Sequence, residues 1–487
     1  MAATPTLTAV PQDPNEAPVT ESRSRTIALI VAAAFFMEAL DASVIVTALP
    51  AIAHGFGSTV LDMSMGITVY LVAMAVFVPA SGWCAQRFGA RKVFAIAVGI
   101  FTLASLLCGL APNATVFIAT RILQGAAAAF MSPVGRIAVL RETPSHRIIE
   151  AIGTIVWPGL IAPVIGPPLG GLIVTYVSWR WIFFLNVPLG LVGIWLVLRH
   201  IPRRALGGRS RFDITGFVLT GCALAVLVVG LTRLGERAEG AAMGTAAGMV
   251  VAGLLLGWAA VAHARRTAEP LLDLRATRVP SFRLASMTVG FASRVAINAS
   301  PFLLPLMFQI GFGMSPVQAG GMVLVYMAGN LVMKSITTRI LHRYGFRKVL
   351  TWNGLLCTLS LYACCLLAPG VWLPVMYLLL FAAGMVRSMN FTTVTTLAFA
   401  DVSSEERAGA SALATMLQQM SMTMAVAFAA LCLSMSQLLR GVSGLTLSDF
   451  HYAWFAVGTL MALATLGALK LPHDAGSKVA KGSHAKA

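Results

Sequence analysis

Long apolar runs follow one another along almost the whole chain, each close to the roughly 20 residues that carry a helix across a bilayer. They fall at 26–50, 63–82, 93–112, 114–138, 148–174, 181–199, 213–233, 243–263, 284–310, 316–338, 347–368, 371–396, 408–435 and 451–470. The polar interruptions are mostly short; the longer ones are 200–212 and 264–283. Lipid offers backbone groups no hydrogen bonds, so the spanning form is helical. The pattern predicts an all-α integral membrane protein of about 14 helices. An even number of crossings puts both ends on one side.

Charge sharpens this picture. Only 11% of the 487 residues are charged and 58% are hydrophobic, where a soluble domain carries roughly 25% charged residues. The net charge of +17 sits mainly in alternate loops. Of the 35 Lys and Arg, Arg180, Arg233, Arg237 and Arg440 fall in the outer loops, and Arg121, Arg294, Lys334 and Arg387 inside apolar runs. All the others share a side with the termini, which the positive-inside rule makes cytoplasmic. The basic loop 199–211, with Arg199, Arg203, Arg204, Arg209 and Arg211, suits lipid headgroups. It lacks the interleaved aromatics of a nucleic-acid surface, so no nucleic-acid partner is expected. Tyr176, Trp179 and Trp181 fit an interfacial belt.

The first helix holds acids and is followed by many more helices, so it reads as uncleaved rather than as a signal peptide. The seven cysteines have no metal or redox spacing, and no metal site is expected.

A short repeat organises the chain. Arg87-Phe88-Gly89-Ala90-Arg91-Lys92-Val93 returns as Arg343-Tyr344-Gly345-Phe346-Arg347-Lys348-Val349. The first copy lies between helices two and three, the second between ten and eleven. Two six-helix halves separated by two extra helices produce that offset, and such parallel halves rock around a midplane site in transporters. The expected division is a tail at 1–25, a six-helix bundle at 26–199, a linker with two extra helices at 200–283, a second bundle at 284–470 and a tail at 471–487.

Glu38 and Asp41 stand mid-helix on one face. An ionised carboxyl at that depth is costly and marks a functional site. Arg121 lies at a similar depth in helix four, within reach of a charge pair with Asp41, and Gln124 lies one turn away on its face. Arg294, Lys334 and Arg387 place three cations in the second half. They either bind an anionic substrate or keep a carboxyl proton mobile, or else snorkel and pair with carbonyls. Gln309, Asn390, Gln418 and Gln419 add hydrogen-bonding groups along the same pathway. Gly166, Pro167, Gly170 and Gly171 give helix five a bend and close backbone approach.

Several motifs, in order, resemble the fourteen-helix drug:proton antiporters (EmrB/QacA type) of the major facilitator superfamily, over about Arg25 to Lys470. Leu40 to Pro50 is similar to that branch's first-helix motif, with Ser43 and Val46 replacing its usual Thr and Asn. Gly82, Gln86, Arg87, Gly89, Arg91 and Lys92 belong to the superfamily's cytoplasmic loop signature, with Gln86 replacing its usual Asp. The Asp is thought to lock the outward-open state, so the resemblance implies a weaker or rebuilt lock. Arg121 to Gly125 matches the proton-transfer motif. Gly166 to Gly171 matches the antiporter motif, a hinge or seal in the family, with Ala162 where an earlier Gly is common. Trp179 to Pro188 and Pro305 to Pro316 are typical of the branch.

The resemblance implies a major facilitator fold in the bacterial inner membrane and export of amphiphilic small molecules in exchange for protons. Glu38, Asp41, Arg121 and Gln124 would form the proton-coupling set. A narrow metabolite or organic-anion transporter of the same fold is the alternative. The driving force is a proton gradient, with no cofactor. Some members work with a periplasmic adaptor and an outer-membrane channel, and no motif here decides for or against such partners. An enzyme would need a nucleophile–base set. The histidines are scattered, and no GxxxxGK loop occurs.

Overall fold

The structure, a computed structural model, describes residues 21–144, 147–203, 211–234, 241–267, 269–403, 406–441 and 444–469. The expected tails up to residue 20 and beyond 469, and Arg204, Arg209 and Arg237, lie outside these.

Fourteen helices are long and apolar enough to span a membrane. They are α1 (Arg23–Gly55), α2 (Val60–Phe88), α3 (Ala90–Leu110), α4 (Ala114–Arg141), α5 (Glu150–Tyr176), α6 (Trp181–His200) and α7 (Ile214–Leu234). They continue as α8 (Met243–Arg266), α9 (Pro280–Gly311), α10 (Pro316–Tyr344), α11 (Phe346–Leu366), α12 (Leu373–Ala400), α13 (Gly409–Arg440) and α14 (Leu447–Ala468). The side on which α1 begins is called the near side below.

Several boundaries differ from the sequence reading, those of the first helix among them. Helix already begins at Glu21, inside the expected tail; buried Ser24 bonds Thr143 at 3.0 Å there. At its other end α1 runs through Pro50 to Gly55. A proline frees a backbone group, but this one is followed by buried Ile52 and Ala53, and packing holds the extra turn.

Side chains fix several of the far-side helix starts. Thr59 and Asp62 form a capping box on α2, Ser315 and Gln318 one on α10, and Asn113 accepts from the Val116 amide at 2.9 Å on α4. The two halves repeat each other in detail. Gly89 and Gly345 both take positive φ (86° and 75°), which lets one helix end and the next begin without a linker. Two residues on, Arg91 donates to the Leu198 carbonyl at the end of α6. Arg347 donates to Leu469 at the end of α14, 3.1 Å away. Each loop arginine thus satisfies a carbonyl orphaned at the end of its bundle's last helix. Likewise a Cβ on Gly125 would strike the Tyr70 carbonyl, and one on Gly384 the Tyr326 carbonyl.

Within the first bundle α1 packs on α5 and α2 on α4; within the second α10 packs on α12 and α11 on α14. The bundles meet along α5–α10 and α2–α13. Inserted helices α7 and α8 pack on each other, and α7 touches both α2 and α13.

The apolar cores are unevenly shared. On the far side one core joins both bundles, including Val44 and Leu49 with Phe302 and Phe308. On the near side each bundle keeps its own, around Phe94 and Phe101 in the first and Phe282 and Phe346 in the second. The molecule is therefore closed on the far side and divided on the near side.

Candidate functional site

The first bundle buries a connected network of one carboxylate, one guanidinium and two amides. Asp41 on α1 is 2% exposed, Arg121 and Gln124 on α4 are 0% and Asn186 on α6 is 2%. Arg121 Nη1 donates to Asp41 Oδ2 at 2.8 Å and to Gln124 Oε1 at 2.6 Å. Gln124 Nε2 and Asn186 Nδ2 each donate to Asp41 Oδ1 at 2.9 Å. Arg121 Nε donates to the Gly66 carbonyl at 3.3 Å, and its guanidinium lies 4.2 Å from the Tyr70 ring centroid. Asn186 is steadied by Ser105, whose hydroxyl donates to the Phe183 carbonyl. A buried carboxylate is tolerated only when paired and hydrogen-bonded, and Asp41 has three donors, one of them a cation. Arg121 Nη2 is left without a partner.

Glu38 is separate from this network. It accepts from Ser132 on α4 at 2.8 Å and lines a cavity between the bundles. That cavity measures about 410 Å³. Its first-bundle wall includes Glu38, Tyr70, Met74 and Arg121; its second-bundle wall includes Phe302, Met327, Phe391 and Met422. Lys334, Arg387 and Gln419 also line it. Arg387 donates to the Ile297 carbonyl and to Asn298, and Gln419 to Met74 across the gap. Among the described residues neither Lys334 nor Arg387 has an ion-pair partner.

The other expected pathway residues lie off this cavity. Arg294 is 1% exposed; it donates to Thr395 at 3.3 Å, while its Nε and Nη1 are unpartnered. Asn390 is equally buried and unpartnered. Gln418 does not line the cavity. Gln309 sits in a π-helical turn that ends α9 and donates to the Thr47 carbonyl of α1 at 3.0 Å, joining the two bundles on the far side.

The Gly/Pro segment of α5 is part of the same closure. A Cβ on Gly170 would approach Val44 at 2.8 Å, one on Gly166 would strike Ser43, and one on Gly171 the Pro316 carbonyl. Gly320 of α10 in turn abuts Pro167. A methyl added at Gly153 or Gly159, nearer the start of α5, would meet nothing within 4 Å. Helix five is thus clamped against α1 and α10 at its far end, whereas along its near half Gly153 and Gly159 face open space and only the side of Ala151 and Ile155 packs into the first-bundle core. In the near-side loop Gln86, Arg87 and Lys92 are exposed, while Gly89 is buried at the turn.

The repeat shows how one-sided the polar network is. The spacing that relates Gly89 to Gly345 and Tyr70 to Tyr326 leads from Asp41 to Ile297 and from Glu38 to Arg294. Aligned on Gly125 and Gly384, Arg121 and Gln124 correspond to Leu380 and Ala383. Ile297, Leu380 and Ala383 are buried and apolar, so the second bundle has no copy of the network.

The sequence reading gave no role to Asn186, Ser132, Tyr70 or Ser105. Asn186 carried a signal, as an amide inside an apolar run. The hydroxyls carried none, because serine and tyrosine are ordinary in membrane helices.

The profile of the Major Facilitator Superfamily matches residues 31–426. The chain belongs to that superfamily. A relative from Escherichia coli O9:H4 (strain HS), named for multidrug resistance (MdtD), is 36% identical over 456 residues, covering 93% of this chain and 95% of its own. A protein of the same name from Shigella flexneri matches with the same identity and coverage. Among solved structures, the D-xylose-proton symporter superposes with a TM-score of 0.64 at 15% identity, covering 93% of this chain and 99% of its own. A bacterial homologue of the human lysosomal transporter Spinster, inward-facing and unoccupied, gives 0.63 at 13% identity over 92% and 97%. These structural likenesses extend to the fold. The protein is a multi-pass membrane transporter of this superfamily.

Proposed function

We propose that the chain exports amphiphilic small molecules in exchange for protons, from the bacterial inner membrane, with both termini in the cytoplasm. The observation that carries this is Asp41, a sealed carboxylate held by Arg121, Gln124 and Asn186, one of which, Arg121, lines the central cavity. Protonation of Asp41 removes its charge and with it the attraction that holds Arg121. The guanidinium already has one unpartnered nitrogen, and Arg121 is among the residues that line the cavity. A substrate that binds one protonation state better than the other is thereby coupled to the proton, and that difference in affinity is the coupling free energy. Glu38, which lines the cavity itself, is positioned to share the proton. The methionines and phenylalanines of the wall suit apolar bodies of varied shape. The relatives named for multidrug resistance support the same reading.

Alternating access follows from the closure. In the near-side-divided state the cavity is reached from the cytoplasm. Separation at Gly171–Pro316 and Thr47–Gln309, with approach of the near halves, exposes it to the other side. The chain needs only protons, substrate and bilayer; an adaptor or outer-membrane channel is an additional partner to be sought by co-purification.

Lys334 and Arg387 favour a second reading. Two unpaired cations on the cavity wall suit a metabolite or organic anion of narrow type.

The test uses proteoliposomes with an imposed pH gradient. Wild type accumulates substrate uphill and moves protons when substrate is added. Asp41→Asn keeps size and much of the hydrogen bonding, and is expected to insert and bind but to lose uphill transport. Uphill transport by Asp41→Asn at the wild-type rate removes Asp41 as the coupling site. Competition by organic anions but not by cations decides for the second reading.

A further inference from the structure

A second cavity lies away from the central one, between the inserted pair and the second bundle. It is a slot of about 320 Å³. Leu224 of α7 and Leu254 of α8 form one wall, Leu413, Leu417 and Met420 of α13 the other, and Leu271 closes its near end. Of the acids on the segments bordering its mouth, Glu269 is exposed, Asp273 is paired with Arg275, and Asp213, which lines the slot, is fully engaged. It accepts from the Gly216 amide at 2.8 Å, bonds the His263 ring at 2.8 Å and accepts from the Leu271 amide at 3.2 Å. The segments bordering that mouth carry Arg211, Arg265, Arg266, Arg278 and Arg283, all exposed. None of these five forms an ion pair among the described residues.

We propose that this slot binds one anionic phospholipid, with an acyl chain between α8 and α13 and its phosphate among the arginines. An apolar depth under a cationic rim is complementary to that molecule, and a zwitterionic lipid would meet the rim without net attraction. The site also touches the transport machinery. Met420 and Leu417 face the slot, while Gln419, Met422 and Val426 on the other face of α13 line the central cavity. Because α7 also contacts α2 and α13, a lipid seated here braces a helix that one bundle offers the other. The inference does not depend on the identity of the substrate.

Native mass spectrometry of the delipidated full-length protein tests it, with dioleoyl phosphatidylglycerol, dioleoyl phosphatidylcholine and glycerol phosphate as probes. Wild type should bind one phosphatidylglycerol at least roughly tenfold more tightly than phosphatidylcholine, since each basic residue near an anionic group contributes about a factor of five. Gly257→Leu fills the slot; a Cβ there meets only Ala223, at 4.0 Å, so the backbone is not displaced. This variant should lose the tight site, and its thermal midpoint should no longer rise with phosphatidylglycerol. Arg265→Gln with Arg266→Gln should bring phosphatidylglycerol down to the phosphatidylcholine level. Equal affinity for the two lipids, a tight site surviving in Gly257→Leu, or equally tight glycerol phosphate would each overturn the proposal.

Discussion

At the scale of single residues, a few polar groups carry the chemistry because the bilayer interior makes every other use of them costly. Arg121 illustrates why identity matters and not charge alone. Its Nη1 reaches Asp41 and Gln124 while its Nε holds the Gly66 carbonyl. A lysine has one donor centre and cannot serve both directions. Arg121→Lys is therefore expected to insert normally but to slow proton-driven transport by roughly tenfold or more, the cost of one charge-assisted hydrogen bond. Asn186→Ala removes a single neutral donor and should slow it less. A larger defect in Asn186→Ala than in Arg121→Lys would reverse that ranking. These positions were unequally legible. Asp41, Arg121 and Gln124 could be joined from depth and helical spacing. Asn186 comes from a helix whose rotation about its own axis no sequence spacing fixes, so its part in the network could not be foreseen.

At the scale of elements, the near and far halves of α5 face different surroundings, and substitutions should report it. Gly171→Leu forces apart the α5 and α10 backbones at Pro316, so insertion should persist while transport falls roughly tenfold or protons leak. Gly153→Ala enters open space and should leave binding of substrate from the near side unchanged. Wild-type flux without leak in Gly171→Leu would remove the seal. The inserted pair makes a separate prediction. Burial pushes the Asp213 carboxyl up, but the Gly216 amide, the His263 ring and the Leu271 amide outweigh it and hold the group below its ordinary 3.8. Its stabilising contribution is thus present above that value and is lost as the pH falls through the lower folded value. Asp213→Asn should lower the thermal midpoint at pH 7, and the gap to wild type should close at strongly acid pH. A gap that widens on acidification would contradict this sign.

At the scale of the whole molecule, the balance between the two access states rests on contacts at opposite sides. The far side is held by one core shared between bundles, the near side by none. Gln86 is exposed and makes no described hydrogen bond in this near-side-divided state. Gln86→Asp should supply the charge usual at that position in the resembled family and favour closure of the near side. A cysteine placed at Gly159 should then label more slowly from the near side, and unchanged labelling would show that other contacts set the balance. Reporter fusions after Lys92 and within 200–212 should read cytoplasmic; a periplasmic reading at either point would invert the proposed topology.

The sequence by itself determined the number of helices, their alternation, the two-bundle repeat and the buried charges, because length and apolarity against a fixed bilayer thickness leave little freedom. It also determined that a cation and a carboxylate share one depth. Only the tertiary structure decided which polar groups meet. It put Asp41 with Asn186, and Glu38 with Ser132. It placed Lys334, Arg387 and Gln419 on the cavity while leaving Arg294, Asn390 and Gln418 off it. Periodicity gives a side chain's depth, but its neighbours depend on how each helix turns about its axis and which helix packs beside it. That is settled by close fits such as Gly125 on Tyr70 and Gly171 on Pro316, made between residues far apart in the chain.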